Sequence, residues 1–81
     1  MTFPTSTNAA QHRHAPKLTA RERQIAWLIA RGLANKEIAH DLRISIHTVR
    51  RHSEKIFDKL GVHSRAAVGW ALLAGDARDA A

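Results

Sequence analysis

The chain contains no cysteine, which removes disulfide frameworks, thiolate metal sites and cysteine nucleophiles together. That absence suits a reducing cytosol. No apolar run approaches the roughly 20 residues needed to span a bilayer. The first residues, MTFPTSTNAAQ, have neither a charged start nor an apolar centre and do not read as a secretion signal. A cytoplasmic location without membrane association is therefore expected. Proline is confined to Pro4 and Pro16, and no run of alternating β-branched residues argues for a strand. With 81 residues there is room for one small domain. Its core must be modest and its stability alone marginal, so help from a partner subunit is natural.

Acidic residues are the minority, 7 against 13 Lys and Arg, giving a formal charge of +6. The distribution says more than the total. From Arg13 to Arg65 there are 12 basic and 5 acidic residues, whereas from Ala66 onward there are one Arg and two Asp. The positive charge belongs to the central segments. Such a field attracts polyanions, nucleic acid first and anionic membrane second, unless it is merely a solvated basic surface.

Residues 1–17 read as a flexible tail or linker, with two prolines, a Thr/Ser/Asn-rich stretch and no helical or strand period. A domain is expected over 18–76 and a short tail over 77–81. From Leu18 the pattern becomes short helical segments separated by turn signals, which predicts an all-α fold. Thr19 and Glu22 have the T-x-x-E spacing of a capping box. Ile25, Ala26, Leu28 and Ile29 continue as a helical stripe, with Trp27 at its edge and Gly32 as the stop. A short second segment covers about Asn35 to Leu42, with Ile38, Ala39 and Leu42 on one face. Asn35 is its candidate N-cap, or else the exit turn of the first segment extends to Ala34.

Ser45 then caps a third segment, in which Val49, Ser53, Ile56 and Leu60 form a core-facing stripe with Phe57 beside it. His47, Arg50, Arg51, Glu54 and Asp58 fall on the opposite side, and Gly61 stands where a left-handed C-cap belongs. The fourth segment is capped by Ser64 and is expected to end at Gly75. Ala67, Val68, Ala71 and Leu72 make its stripe, and Ala66, Trp70 and Leu73 extend the apolar surface around it. That is more apolar surface than one small core consumes, so the surplus suits self-association. Closure of Trp70 over the first segment as ordinary core is the other option for that residue. Two helices joined by a tight turn, the second with a basic outer face, describe a helix-turn-helix unit.

The words LTARERQ, LIARGLANKEIAHDL, ISIHTVRRH and IFDKLGVHSRAA, in this order between Leu18 and Leu72, closely resemble the DNA-binding domain of the LuxR/FixJ/GerE family of bacterial transcription regulators. The resemblance implies a four-helix domain whose second and third helices form the helix-turn-helix. The third helix would enter the major groove and the fourth would mediate homodimerisation. Positions matching Arg50, Arg51 and Glu54 would face base edges, and those matching Thr19, Lys36, Ser45, Thr48 and Lys55 would lie near phosphates. The dimer interface is expected at Ala67, Val68, Ala71 and Leu72. Double-stranded DNA and a second copy are the implied partners, and RNA polymerase is carried as a further one.

The side-chain chemistry fits these roles. An arginine fork pairs with guanine O6 and N7, a contact worth roughly 1–3 kcal/mol of discrimination. Glu54 can accept from a cytosine amino group, or hold Arg50 or Arg51 in place by an i, i+4 or i, i+3 pair; the second role is favoured, since phosphate repels a carboxylate in the groove. Ser45 and Thr48 can donate to phosphate, though Ser45 is equally a helix cap. Three departures stand out. Ala34 replaces a small hydroxyl residue and leaves the second helix without that cap. Ile46 occupies a commonly polar position, to be read as packing against the second helix or meeting a thymine methyl. Arg51 and Glu54 vary across the family, so no operator sequence carries over.

Six histidines invite a metal reading. His12 and His14 lie in the tail, His40 on the second segment and His63 in a turn, while His47 and His52 point to different faces. No carboxylate joins any pair at a ligand spacing, so neither metal nor other cofactor is expected. His52 is read as a packing and phosphate-side residue. Nothing resembles a nucleophile with an oriented base or a phosphate loop, which predicts a non-enzyme. The leading reading is a dimeric, sequence-specific regulator on a roughly palindromic site. Its rivals are a small interaction module that heterodimerises through the fourth helix with a larger regulator, and a promoter-recognition domain of a sigma factor. The TARERQ…GLANKEIA…TVRRH order weighs against the last.

Overall fold

The first helix begins where Thr19 closes a capping box. Its hydroxyl accepts from the Glu22 amide at 3.0 Å and Glu22 Oε1 accepts from the Thr19 amide at 2.8 Å, so two orphan donors of the first turn are satisfied reciprocally. The computed structural model describes residues 17–80, with side chains as far as Gly75. Among them the chain forms four helices and no strand: α1 (Ala20–Ala30), α2 (Asn35–Leu42), α3 (Ile46–Leu60) and α4 (Arg65–Ala80). But for Lys17, the tail expected over 1–17 lies outside the described residues, as do His12 and His14. No helix among the described residues is long and apolar enough to cross a membrane.

Each helix contributes to one core. Ile25, Ile38, Val49, Ile56 and Val68 are fully buried, with Ala26, Ile29, Ala39 and Leu72 around them. Helix α1 is the hub: it packs against all three others, most extensively α4, while α2 packs on α3. Trp27 lies at the core's edge as expected. Ser53, the one polar member of the α3 stripe, is buried but donates to the Val49 carbonyl at 2.9 Å, which removes the cost of an unpaired hydroxyl.

The structure decides between the two readings left open at the start of α2, and one boundary, the end of α4, differs from expectation. Asn35 is not the cap of α2 but its first residue; the cap is Ala34, which has no side chain to accept from the first turn. Half of the missing box is supplied by Glu37, whose Oε1 accepts from the Ala34 amide at 2.7 Å. Gly75 does not stop α4, which runs on to Ala80. A glycine inside a helix costs only about 1 kcal/mol relative to alanine, and unlike Gly32 and Gly61 this one does not adopt positive φ.

The turn between α2 and α3 is built on Arg43, at φ 58° and ψ 45°, the one non-glycine at positive φ among the described residues. Its amide donates to His40 O at 3.3 Å and that of Ile44 to Ala39 O at 3.0 Å, so α2's last carbonyls are satisfied while the chain reverses. An L side chain in this region is strained. Arg43→Gly is expected to raise stability by about 0.5–1 kcal/mol, after subtracting the added freedom of the unfolded glycine. Urea unfolding checks this, and a lower midpoint would show that the arginine side chain contributes more than its strain costs.

Candidate nucleic-acid interface

Helix α3 is positioned from both ends. At its start Ser45 Oγ accepts from the Thr48 amide at 3.0 Å and donates to Thr48 Oγ1 at 2.9 Å. At its end Gly61, at φ 68°, donates to Asp58 O and Phe57 O. Val49, Ser53 and Ile56 are locked into the core, so the helix cannot rotate. His47, Arg50, Arg51, Glu54 and Asp58 are consequently presented to solvent, and all five are exposed. The Ser45 proton is used on Thr48, which leaves the Thr48 hydroxyl as the free donor of the pair. Ile46, at the first position of α3, is 38% exposed, so part of its apolar side chain faces solvent beside the outer face of the helix.

The structure sorts the cations. Lys59 Nζ is 2.7 Å from Glu22 Oε1 and donates also to the Lys17 carbonyl at 3.3 Å. Arg65 donates through Nη1 to Asn35 Oδ1 at 2.8 Å and through Nη2 to the Leu33 carbonyl. These two hold the fold together. Among the described residues, Lys36, Arg50, Arg51 and Lys55 are exposed with no ion-pair partner. Thr19 is exposed as well, with its oxygen engaged at the α1 cap. The Glu22 carboxyl titrates below the usual carboxylate range, chiefly through the Lys59 hydrogen bond and next through the Thr19 amide, with burial opposing both.

Glu54 departs from its favoured role. Among the described residues it forms no ion pair with Arg50 or Arg51. Instead it lines an open depression with Phe57, Asp58, Gly61, Val62 and His63. An exposed pair on one helix is worth only a few tenths of a kcal/mol, too little to hold long side chains together. Among the described residues no group of three or more His, Asp or Glu stands close enough to hold a metal.

On α4 the apolar residues divide differently from expectation. Val68 and Leu72, assigned to a dimer interface, are buried in the chain's own core, and Ala67 and Ala71 are half-buried. One stripe of the helix packs on α1, and a stripe so used has little surface left for a second molecule. The outward stripe is Ala66, Trp70, Leu73 and Ala74. Trp70 is 77% exposed and Leu73 57%, so Trp70 does not close over α1.

Sequence reasoning missed the Glu22–Lys59 pair and the Arg65 clamp. Nothing periodic links positions 37 or 30 residues apart. One signal was present for Arg65: a cation at the first position of a helix opposes the helix dipole, which asks what else holds it.

Residues 16–70 match the family model described as bacterial regulatory proteins, luxR family. The chain belongs to the LuxR family. Among its LuxR relatives, the probable transcriptional regulatory protein SgaR of Hyphomicrobium methylovorum is 44% identical over 55 residues, 68% of this chain and 26% of that protein. The transcriptional regulatory protein UhpA of Escherichia coli is 51% identical over 45 residues, 56% of this chain and 23% of that one. The crystal structure of the response regulator ChrA, from a heme-sensing two-component system, superposes with a TM-score of 0.71 at 35% identity, covering 94% of this chain and 39% of ChrA. The chain thus spans about a quarter of the length of the curated relatives it matches. The LuxR family is one of transcription regulators rather than enzymes.

Proposed function

We propose that this LuxR-family chain binds double-stranded DNA sequence-specifically, with α3 in the major groove, and regulates transcription in the bacterial cytoplasm. The observation that carries this reading is the outer face of α3. Arg50 and Arg51 are exposed and unpaired among the described residues, while the opposite face is held by Val49 and Ile56 in the core. A rigid helix presenting two free guanidinium forks meets the geometric demand of guanine recognition. Glu54, released from the arginines, is available to a cytosine amino group. Thr48, Lys36, Lys55 and Thr19 supply phosphate contacts that fix register without reading sequence, and Ser45, whose proton is held by Thr48, contributes through the backbone amides and dipole of the helix end it caps.

Two copies would pair through α4 and place their α3 helices in successive major grooves, about 10 base pairs apart on a roughly palindromic site. The pairing surface we assign is the outward stripe of Trp70 and Leu73. RNA polymerase is the further partner that such a regulator addresses. Affinity should fall steeply with salt, because phosphate neutralisation releases counterions.

A binding screen over randomised duplexes tests the base-reading assignment. Arg50→Ala should lose about 1–3 kcal/mol of discrimination at one position of each half-site. Lys36→Ala should weaken all sequences about equally and reduce the salt slope by about one. An Arg50→Ala protein that selects the same bases as the wild type would remove α3 from the groove. The exposed Trp70 and Leu73 also favour a second reading, a module that pairs with a longer family member and modulates it. Mass in solution separates the two: a monomer alone and on DNA, with only non-specific affinity, supports the module.

A further inference from the structure

Arg65 is the first residue of α4, an unfavourable place for a cation, because the amide dipoles put positive potential at a helix N-terminus. Its own helix does not need it there. Ser64 already caps α4, its Oγ accepting from the Ala67 amide at 3.3 Å. The guanidinium instead reaches back to two oxygens, Asn35 Oδ1 at 2.8 Å and the Leu33 carbonyl. These partners stand on either side of Ala34, the cap residue that has no side chain to close the first turn of α2. The clamp therefore supports the chain at a helix start that has no side-chain cap of its own. Next along that turn is Lys36, exposed to solvent.

We propose that Arg65 is a positioning residue for DNA binding: by gripping Leu33 and Asn35 it sets the first turn of α2, and with it Lys36, relative to α4. This inference rests on the DNA-binding reading above. A planar fork can hold two oxygens in fixed directions at once, whereas a lysine ammonium is a point donor on a flexible stem. Because α4 carries the stripe assigned to pairing, the clamp ties the pairing helix of each copy to that copy's phosphate contact on α2. Lys55, on α3, lies outside this connection and provides an internal control.

The test combines a DNA-free and a DNA-bound readout, using the whole chain and a duplex selected by the wild-type protein. In Arg65→Lys, the Ile38 amide, which donates to Ala34 O at 3.0 Å, should exchange with solvent about tenfold faster through local opening of the α2 turn. The Val49 amide, bonded to Ser45 O at 3.1 Å, should keep its rate. On DNA, Lys36→Ala should weaken binding about tenfold in the wild-type background and no more than about twofold beside Arg65→Lys, as coupled sites do. Lys55→Ala should cost the same factor in both backgrounds. Asn35→Ala, which removes one arm of the clamp and leaves the charge, should show the same pattern at smaller size. An equal cost of Lys36→Ala in both backgrounds overturns the inference, and so does an equal loss of dependence on Lys55, which would mean general loosening. A wild-type chain with no affinity for DNA would defeat the DNA-binding reading and this inference together. An unchanged Ile38 exchange rate in a chain that does bind DNA defeats the clamp alone.

Discussion

Replacing Lys59 by methionine is expected to lower the melting temperature by roughly 12–24 °C, from a loss of about 3 kcal/mol in a domain where each kcal/mol shifts the midpoint by about 4–8 °C. Lys59 is the counter-charge of Glu22, whose side chain is 5% exposed, at 2.7 Å. Removing one partner of a nearly buried pair leaves the other charge uncompensated, which costs more than the pair itself contributes. A domain this size has only about 0.05–0.15 kcal/mol of stability per residue to lose. Adding Glu22→Gln to Lys59→Met should recover part of the loss, since the amide oxygen can still accept from the Thr19 amide and no charge remains stranded. Thermal unfolding of the single and double variants checks this, and a single variant as stable as the wild type would show that water already satisfies Glu22.

The same pair sets an acid limit. The folded-state pKa of Glu22 is depressed, so its contribution is fully present above the unfolded carboxyl value and is lost as pH falls through the lower folded value. Stability of the wild type should therefore drop on acidification below the ordinary carboxylate range, and Glu22→Gln should flatten that part of the profile.

Trp70→Glu is expected to weaken binding to a full two-half-site duplex by about 100-fold or more while leaving half-site binding within about twofold, because buried tryptophans dominate interface energies and a buried unpaired carboxylate opposes pairing. The side chain is 77% exposed in the single chain, so the melting temperature should hardly move. That combination distinguishes an interface residue from a core residue. Val68→Ala gives the contrast: Val68 is fully buried and its truncation should destabilise the fold by about 1–3 kcal/mol. Fluorescence anisotropy on full-site and half-site duplexes measures the effect, and equal affinities of wild type and Trp70→Glu for the full site would remove α4's outward stripe from the proposed dimer.

Local patterns in the sequence carried most of the fold. The capping box at Thr19, the Ser45 cap, the Gly61 terminus and the 3- and 4-residue spacing of Val49, Ser53, Ile56 and Leu60 are short-range signals, and each appears in the structure. The exposed face of α3 followed from the same spacing, since a helix held on one side must present the other. What the sequence did not disclose depends on contacts distant along the chain. By sequence Lys59 and Arg65 are two more cations of a basic surface; only the fold brings Glu22, Leu33 and Asn35 beside them. On α4 an apolar stripe could be recognised, but alanine, valine, leucine and tryptophan lie nearly all around the helix. Which part faces α1 is decided by packing, and the sequence-based choice of Val68 and Leu72 for a second copy fell on the inner side. Glu54 was assigned to its arginine neighbours from spacing alone, where solvation outweighs so weak a pair.

The central claim is that α3 reads base edges from the major groove. Guanine N7 lies in that groove and accepts from arginine, so methylation interference at N7 on a duplex selected by the wild-type chain is the direct measurement. Methylation of one or two guanines in each half-site, with the two sets about 10 base pairs apart, should exclude the protein, and Arg50→Ala should abolish the interference at one guanine per half-site. Binding indifferent to N7 methylation at every position would contradict the account.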